Sequence, residues 1–279
     1  MAIGRAIVVF GGGGVKGIAH VGAWKAIEEF GVEVVGVVGT SIGALVGACV
    51  AAGWGFRELE PRARALKKVD IVSLNRWALL FNGIRQRSVF RGEPLRTYIE
   101  ATLPVRRYDE LVLPLAINAV DLETGRTEWF GQEDRTDVPL VDAVYASCAL
   151  PLFYPPAEIN GRYYVDGGVG DALAIDRAAG RDVDLVIAID VSSGPVKDSL
   201  DTVSNGLVAI HHRVFDIMSH ARRRERLAAW SGPPLVHVRP RLDGYSTFDF
   251  GQTTYFLEEG YRATREALAR WPDAAIPAD

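Results

Sequence analysis

Three short stretches carry residue types able to act on an acyl group. The first is Gly39-Thr40-Ser41-Ile42-Gly43, a G-x-S-x-G pentapeptide between an apolar run and a small-residue run. Small neighbours allow the sharp strand-to-helix turn that exposes a serine hydroxyl at the edge of a sheet, and a hydroxyl held there can act as a nucleophile once a base reaches it. Ser41 is the candidate nucleophile; the plainer role at such a boundary is a helix N-cap. The second stretch, Gly11-Gly12-Gly13-Gly14-Val15-Lys16-Gly17, can be read in three ways. From Gly12 to Gly17 it fits the G-x-G-x-x-G dinucleotide fingerprint, with Glu33 at about the right distance for the ribose-binding acid, but Glu33 opens the next strand instead of closing it. As a P-loop it fails, because Lys16 is not in a Gly-Lys-Ser/Thr context. As an oxyanion loop, the backbone N–H groups of Gly12, Gly13 and Gly14 converge on one point at the start of a helix. A tight turn alone explains one or two of these glycines, not four plus Gly17.

The third stretch, Asp166-Gly167-Gly168, follows the strand-like run Tyr163 to Val165 and leaves a carboxylate at a strand end. On spacing alone a catalytic base and a turn carboxylate bonding its own backbone weigh equally. The histidines are poorly placed as bases. His20 lies in the first helix, His211, His212 and His220 fall within one long helical pattern, and His237 sits inside a strand-like run; a triad histidine normally occupies a loop beyond a strand. Cys49 and Cys148 lie in apolar stretches and read as core residues. No His, Cys or acidic spacing suggests a metal, and no cofactor is expected.

These groups need a scaffold, and the hydrophobic pattern supplies one. Ala6 to Phe10 reads as a buried strand, Ile18 to Phe30 as a helix stopped by Gly31, Val34 to Val38 as a second buried strand and Ile42 to Ala52 as a helix. Further strands are expected at Leu115 to Val120, Glu128 to Phe130, Tyr163 to Val165, Leu185 to Asp190 and Leu235 to Arg239, and helices at Val141 to Ala149, Val203 to Ala229 and Thr253 to Ala269. Thr124-Gly125 and Asn160-Gly161 carry hairpin-turn chemistry. The order predicts an α/β fold, a three-layer α/β/α architecture with a mostly parallel central sheet, in a single domain spanning residues 1–279. Val34 to Phe56 is uncharged over 23 residues, long enough to span a bilayer, but its glycines and the polar turn around Ser41 divide it into strand and helix.

Composition narrows the class. With 279 residues, 48% hydrophobic and 24% charged, the chain is neither disordered nor fibrous, and a formal net charge of -4 gives no reason to expect nucleic acid as a partner. Met1 to Arg5 has no basic run ahead of a long apolar one, so a cytoplasmic location without a signal peptide is expected. Residues 57–91 hold nine basic residues against three acidic ones, interleaved with Trp77, Leu79, Leu80, Phe81 and Ile84. Such a segment suits a lid-like insertion making peripheral, salt-sensitive contact with a membrane surface, and equally a pair of helices packed on the core. The basic run Arg222 to Arg226 is expected on the exposed face of a helix.

Taken together, the loop from Gly11 to Gly17, the elbow around Ser41, the segment Ala146-Ser147-Cys148-Ala149-Leu150-Pro151-Leu152-Phe153-Tyr154-Pro155-Pro156 and Asp166-Gly167-Gly168 resemble, in order, the motifs of the patatin-like phospholipase family. Gly11 departs from the Asp or Ser of many relatives, and Lys16 stands where they carry Arg or Lys. The resemblance implies a serine and aspartate dyad without histidine, with Ser41 and Asp166 catalytic, Gly12, Gly13 and Gly14 forming the oxyanion hole, and Lys16, Gly17, Gly39, Gly43, Gly167 and Gly168 supporting them. The implied activity is hydrolysis of lipid carboxylic esters through an acyl-enzyme, as a phospholipase A, lysophospholipase or lipid esterase acting on a lipid or acyl ester substrate. Lys16 would support the loop electrostatically, lie near a substrate phosphate, or simply be exposed at a helix start. Trp77, Phe81, Leu152, Phe153 and Tyr154 suit an apolar substrate. The alternatives are a catalytically silent lipid-binding or regulatory protein on the same fold and a dinucleotide-binding protein; the sequence leaves oligomeric state open.

Overall fold

A computed structural model describes residues 4–75, 86–192 and 199–271 of the chain. At its centre is β1 (Arg5–Phe10), paired in parallel with β2 (Glu33–Gly39) on one side and β7 (Leu185–Ile189) on the other. Successive side chains of a strand point to opposite faces, so an apolar run with no polar alternation must be covered on both. Ala6, Val8 and Phe10 enter one hydrophobic cluster, with α1 (Ile18–Phe30) and α2 (Ile42–Ala51); Ile7 and Val9 enter a second cluster with Ile175, against which Leu227 and Trp230 pack. The sheet thus divides two helical layers, as the element order predicts.

The sheet order is β5-β6-β3-β2-β1-β7-β8, with β4 joined to β3. The run from β3 (Leu115–Asp121) to β8 (Leu235–Val238) is parallel, while β4 (Thr127–Gly131), β6 (Arg162–Asp166) and β5 (Ala157–Ile159) extend it in antiparallel pairs. Asn160 and Gly161, with φ of 50° and 76°, turn β5 into β6, the pair of left-handed conformations that a two-residue hairpin requires.

Several helices were not anticipated with bounds: α3 (Phe56–Ala65), α4 (Lys68–Ile71) and α5 (Gly92–Thr102). Leu59 and Ala63 of α3 are buried, so this part of the basic segment packs on the core; Trp77, Leu79, Leu80, Phe81 and Ile84 lie outside the described residues. The helix expected over Arg222 has α6 (Leu140–Cys148) and α7 (Gly168–Asp171) before it in the chain, and it is two helices, α8 (Ser199–Ser204) and α9 (Gly206–Ala228), separated where Gly206 takes φ 78°. The basic run is exposed at Arg222, Arg224 and Arg226, as expected, and needs correction at one residue. Arg223 is buried, with Nε 3.0 Å from Asp190 Oδ2, because a buried carboxylate at the end of β7 needs a counter-ion.

The last helix, α10 (Thr253–Ala269), lies against α1 at backbone-contact distance. A Cβ on Gly22 would stand 1.9 Å from the Leu257 carbonyl oxygen, and one on Gly260 would stand 2.0 Å from that of Ala19. Gly22→Ala is therefore expected to destabilise the protein by about 1–3 kcal/mol through overpacking, whereas Gly180→Ala, where a Cβ meets nothing within 4 Å, is expected to change stability little. Urea denaturation of the two variants, read against wild type, checks this.

Candidate active site

The strand β3 brings the two chemical groups together. Residues Ala116 to Val120 of β3 pair with β4, so β2 and β6 must share the opposite edge. There β2 pairs up to Gly39↔Ile117, and β6, running the other way, begins at Asp166↔Ala119. The two strands end nearly head to head along one edge, and the chain beyond Gly39 meets the end of β6.

Ser41 occupies the turn between β2 and α2 with φ 56° and ψ -127°, a conformation that costs an L-residue about 1–3 kcal/mol. Its neighbours are glycine for steric reasons. A Cβ on Gly39 would fall 2.6 Å from Ala44 Cα, and one on Gly43 would fall 2.2 Å from the Phe10 carbonyl oxygen. Although Ser41 stands at the N-cap position of α2, its side chain does not cap the helix. Its Oγ instead donates to Asp166 Oδ2 at 2.6 Å, and its backbone N–H donates to Ser147 Oγ at 2.8 Å.

Asp166 divides its two oxygens between the two roles that spacing left equal. Oδ1 accepts from Gly168 N–H at 2.7 Å, the local turn bond, while Oδ2 takes the Ser41 hydroxyl. Asp166 N–H donates to the Ala149 carbonyl at 3.0 Å. The C-terminal end of α6 and the residue after it therefore hold both groups, Ser41 through Ser147 and Asp166 through Ala149. Gly167 is required by close approach, since its Cβ would lie 2.2 Å from Oδ1 of the buried Asn118. Burial pushes the Asp166 carboxyl up to about 6, against hydrogen bonds from Ser41 and Gly168 that favour the ionised form.

The glycine loop passes beside the serine: a Cβ on Gly12 would be 3.3 Å from Ser41 Cβ. Gly11 N–H donates to Ile189 O, Gly12 N–H to Ala172 O and Val15 N–H to Thr247 O. The expectation that Gly12 is an oxyanion donor is therefore corrected, because its hydrogen already has an acceptor, at 2.8 Å. Gly13 N–H meets no acceptor among the described residues, and Gly14 opens a short 3-10 turn (Gly14–Gly17) whose first amides have no partner within the turn. Gly17 lets this turn lie against α2, where a Cβ would be 2.3 Å from Ile42 Cγ2. Glu33 is exposed at the opposite end of β2 from Gly39, so it is not placed to act as the ribose-binding acid of a dinucleotide site at this loop.

Lys16 is not the exposed helix-start residue that sequence allowed. It is fully buried; desolvation lowers its ammonium to about 8, opposed by Asp216, Asp190 and Asp243. Beneath the loop, His20 is also fully buried, and desolvation lowers it to about 4. A neutral ring 2.7 Å from the Gly11 carbonyl must carry its proton on Nε2 and donate it there, which anchors the first glycine.

Ser41, Asp166, Gly13 and Gly14 open into a cavity of about 960 Å³ including its mouth. One wall is apolar, formed by Leu45, Leu66, Ile71, Leu95, Ile99 and Leu150. The other contains Ser192, His212, Asp216 and Thr247. His212, poorly placed as a base by its position within a long helical pattern, nevertheless lines the cavity. Its Nε2 lies 3.2 Å from Thr247 Oγ1 and its ring stands edge-on to Phe153. Among the described residues, no cluster of His, Cys, Asp or Glu is placed to hold a metal ion.

The profile of the patatin-like phospholipase family matches residues 8–179. The chain belongs to that family. It is 29% identical over 306 residues to an uncharacterized NTE family protein of Mycobacterium tuberculosis, an alignment covering 99% of this chain and 82% of that one. It is 28% identical to lysophospholipase nte1 of Aspergillus fumigatus over 96% of its own length, but spans 18% of that protein. Among solved structures, VipD from Legionella pneumophila superposes with a TM-score of 0.63 at 13% identity, covering 95% of this chain and 66% of that one, which is a likeness of fold. Membership of the patatin-like phospholipase family marks the chain as a lipid ester hydrolase.

Ser147 is the site residue whose role sequence did not reveal, and it offers a clean test of the turn. Ser147→Ala leaves the Ser41 N–H without its partner, which is expected to cost about 1–3 kcal/mol of stability and to lower kcat for an ester substrate about tenfold or more. Thermal melts and steady-state kinetics of the variant measure both.

Proposed function

We propose that the protein cleaves carboxylic esters of lipids by a Ser41–Asp166 dyad and an acyl-enzyme, with residues 1–279 acting as one hydrolase domain. The observation that carries this reading is the 2.6 Å hydrogen bond from Ser41 Oγ to Asp166 Oδ2. As Ser41 Oγ attacks the ester carbonyl, its proton passes to Asp166, and the carbonyl oxygen takes up the negative charge. The Gly13 and Gly14 amides, at the start of a helical turn, are the donors available to that oxygen. Collapse of the tetrahedral species expels the alcohol portion of the lipid, which takes the proton from Asp166 and leaves an acyl-serine. Water then gives its proton to Asp166 and attacks the acyl-serine, and the acid departs as the proton returns to Ser41.

An aspartate is a poor base in water, where it ionises near 3.9. A desolvated Asp166 raised to about 6 is better matched to accepting a proton while still ionised at neutral pH. The apolar wall of the cavity suits an acyl chain, and the relative named a lysophospholipase supports single-chain phospholipids as the first substrates to try. Membership of the family and a complete dyad speak against the silent lipid-binding alternative.

Three measurements test the reading. A fluorophosphonate probe is expected to label wild type and not Ser41→Ala; equal labelling of both would refute the assignment of the nucleophile. The base must be ionised, so kcat/KM is expected to fall as pH drops through about 6. The third concerns stability. Asp166 ionises near 3.8 when exposed and near 6 when folded. Its stabilising contribution is therefore full below the lower value and lost as pH rises to the upper one, up to roughly 3 kcal/mol. Asp166→Asn is accordingly expected to be inactive yet about 1–3 kcal/mol more stable than wild type at pH 8, with the gain vanishing near pH 4 in chemical denaturation.

A further inference from the structure

The helix α9 is amphipathic in the wrong sense for a helix on a protein surface. Such helices bury an apolar stripe and show polar residues to water. Here Leu207 is 76% exposed, Met218 65%, Ile217 52% and Val214 49%, with Ile210 also exposed. At 3.6 residues per turn these five fall within an arc of about 100°. The opposite face is mostly polar: His212, Asp216 and Ser219 line the catalytic cavity beside Phe215, and Arg223 is buried against Asp190, with Leu227 packing on the core one turn further on. Contiguous exposed apolar surface of this kind marks an interaction site.

We propose that the outer face of α9 is the surface by which the protein sits on a phospholipid bilayer, so that the cavity it walls is presented to the lipid. Three features favour a lipid surface. The stripe extends over about three turns, and against a second copy of itself such a length buries less than the ~1,200 Å² of a stable interface. A second wall of the same cavity behaves alike: Leu66 and Ile71 line it, while Val69 between them is 74% exposed beside the exposed Lys67 and Lys68. Exposed basic residues next to exposed apolar ones suit an anionic phospholipid surface. His211 and Arg224 add exposed basic side chains to α9 itself. The inference rests on the lipid-hydrolase reading for the identity of the partner, but not on the dyad chemistry.

The test is cosedimentation with vesicles of phosphatidylcholine and phosphatidylglycerol (7:3), using wild type, Ser41→Ala and the triple variant Leu207→Gln/Val214→Gln/Met218→Gln, whose three positions are solvent-exposed. Wild type and Ser41→Ala are expected to bind alike, and the triple variant at least tenfold more weakly. The triple variant should keep its melting temperature and its hydrolysis of a water-soluble short-chain ester within twofold, while losing hydrolysis of vesicle lipid in proportion to binding. Equal partitioning of the triple variant and wild type overturns the proposal. So does a wild-type dimer in light scattering that the triple variant converts to monomer, since the stripe would then belong to a second copy. If wild type fails on the soluble ester but vesicle binding still depends on the three residues, the catalytic reading falls and the surface stands.

Discussion

One short hydrogen bond, between residues 125 positions apart, is the constraint around which the molecule is arranged. A half-buried serine hydroxyl and a buried carboxylate must approach within bonding distance, and neither can be placed by its own segment. The solution lies in the sheet. By pairing β2 and β6 to successive parts of one edge of β3, the fold makes two strand ends face each other, so that Ser41, in the turn just beyond β2, meets Asp166, the last residue of β6. The end of α6 then ties both backbones in place through Ser147 and Ala149. The strain at Ser41 persists because glycine on either side and these bonds leave the turn no alternative.

Two aspartates at the ends of strands show how environment assigns roles to one residue type. Asp190, at the end of β7, is as deeply buried as Asp166, and burial alone would raise it. The His237 ring beside it, the Arg223 guanidinium and the hydrogen bond from the Ser192 hydroxyl outweigh that, and hold it well below the ordinary carboxylate range. It is a structural anion that fastens α9 to the sheet. Among the described residues no cation contributes at Asp166, where burial is opposed by two hydrogen-bond donors, one of them the hydroxyl of the proposed nucleophile Ser41. A carboxylate fully neutralised by a guanidinium would be a weaker base; leaving it unpaired keeps it useful at some cost in stability.

The family profile ends at residue 179, yet His212, Phe215, Thr247 and Phe248 also line the cavity. The chemical groups thus come from the part of the chain shared with the family, while the later helices enclose the space above them. Thr247 reaches into both. Its carbonyl accepts from Val15 N–H in the glycine loop, its hydroxyl meets His212, and its methyl fills the space that a side chain on Gly14 would need. Packing there couples the loop to α9.

Local physics made much of this legible in advance. Uncharged β-branched runs separated by glycine determine central strands, and the helix bounds Ile18–Phe30 and Thr253–Ala269 follow directly from periodicity and stop signals. Ser41 was readable as a candidate because its turn is encoded by its immediate neighbours, whereas spacing left Asp166 balanced between base and turn carboxylate and the family resemblance alone favoured the base. What tertiary structure alone decided is everything that depends on a partner distant in sequence: that Gly12 N–H is taken by Ala172, that Lys16 and Arg223 are buried among carboxylates, that Ser147 rather than a helix cap satisfies the Ser41 amide, and that α9 turns its polar face inward. A sequence pattern records which faces a segment has, and only packing decides which of them meets water.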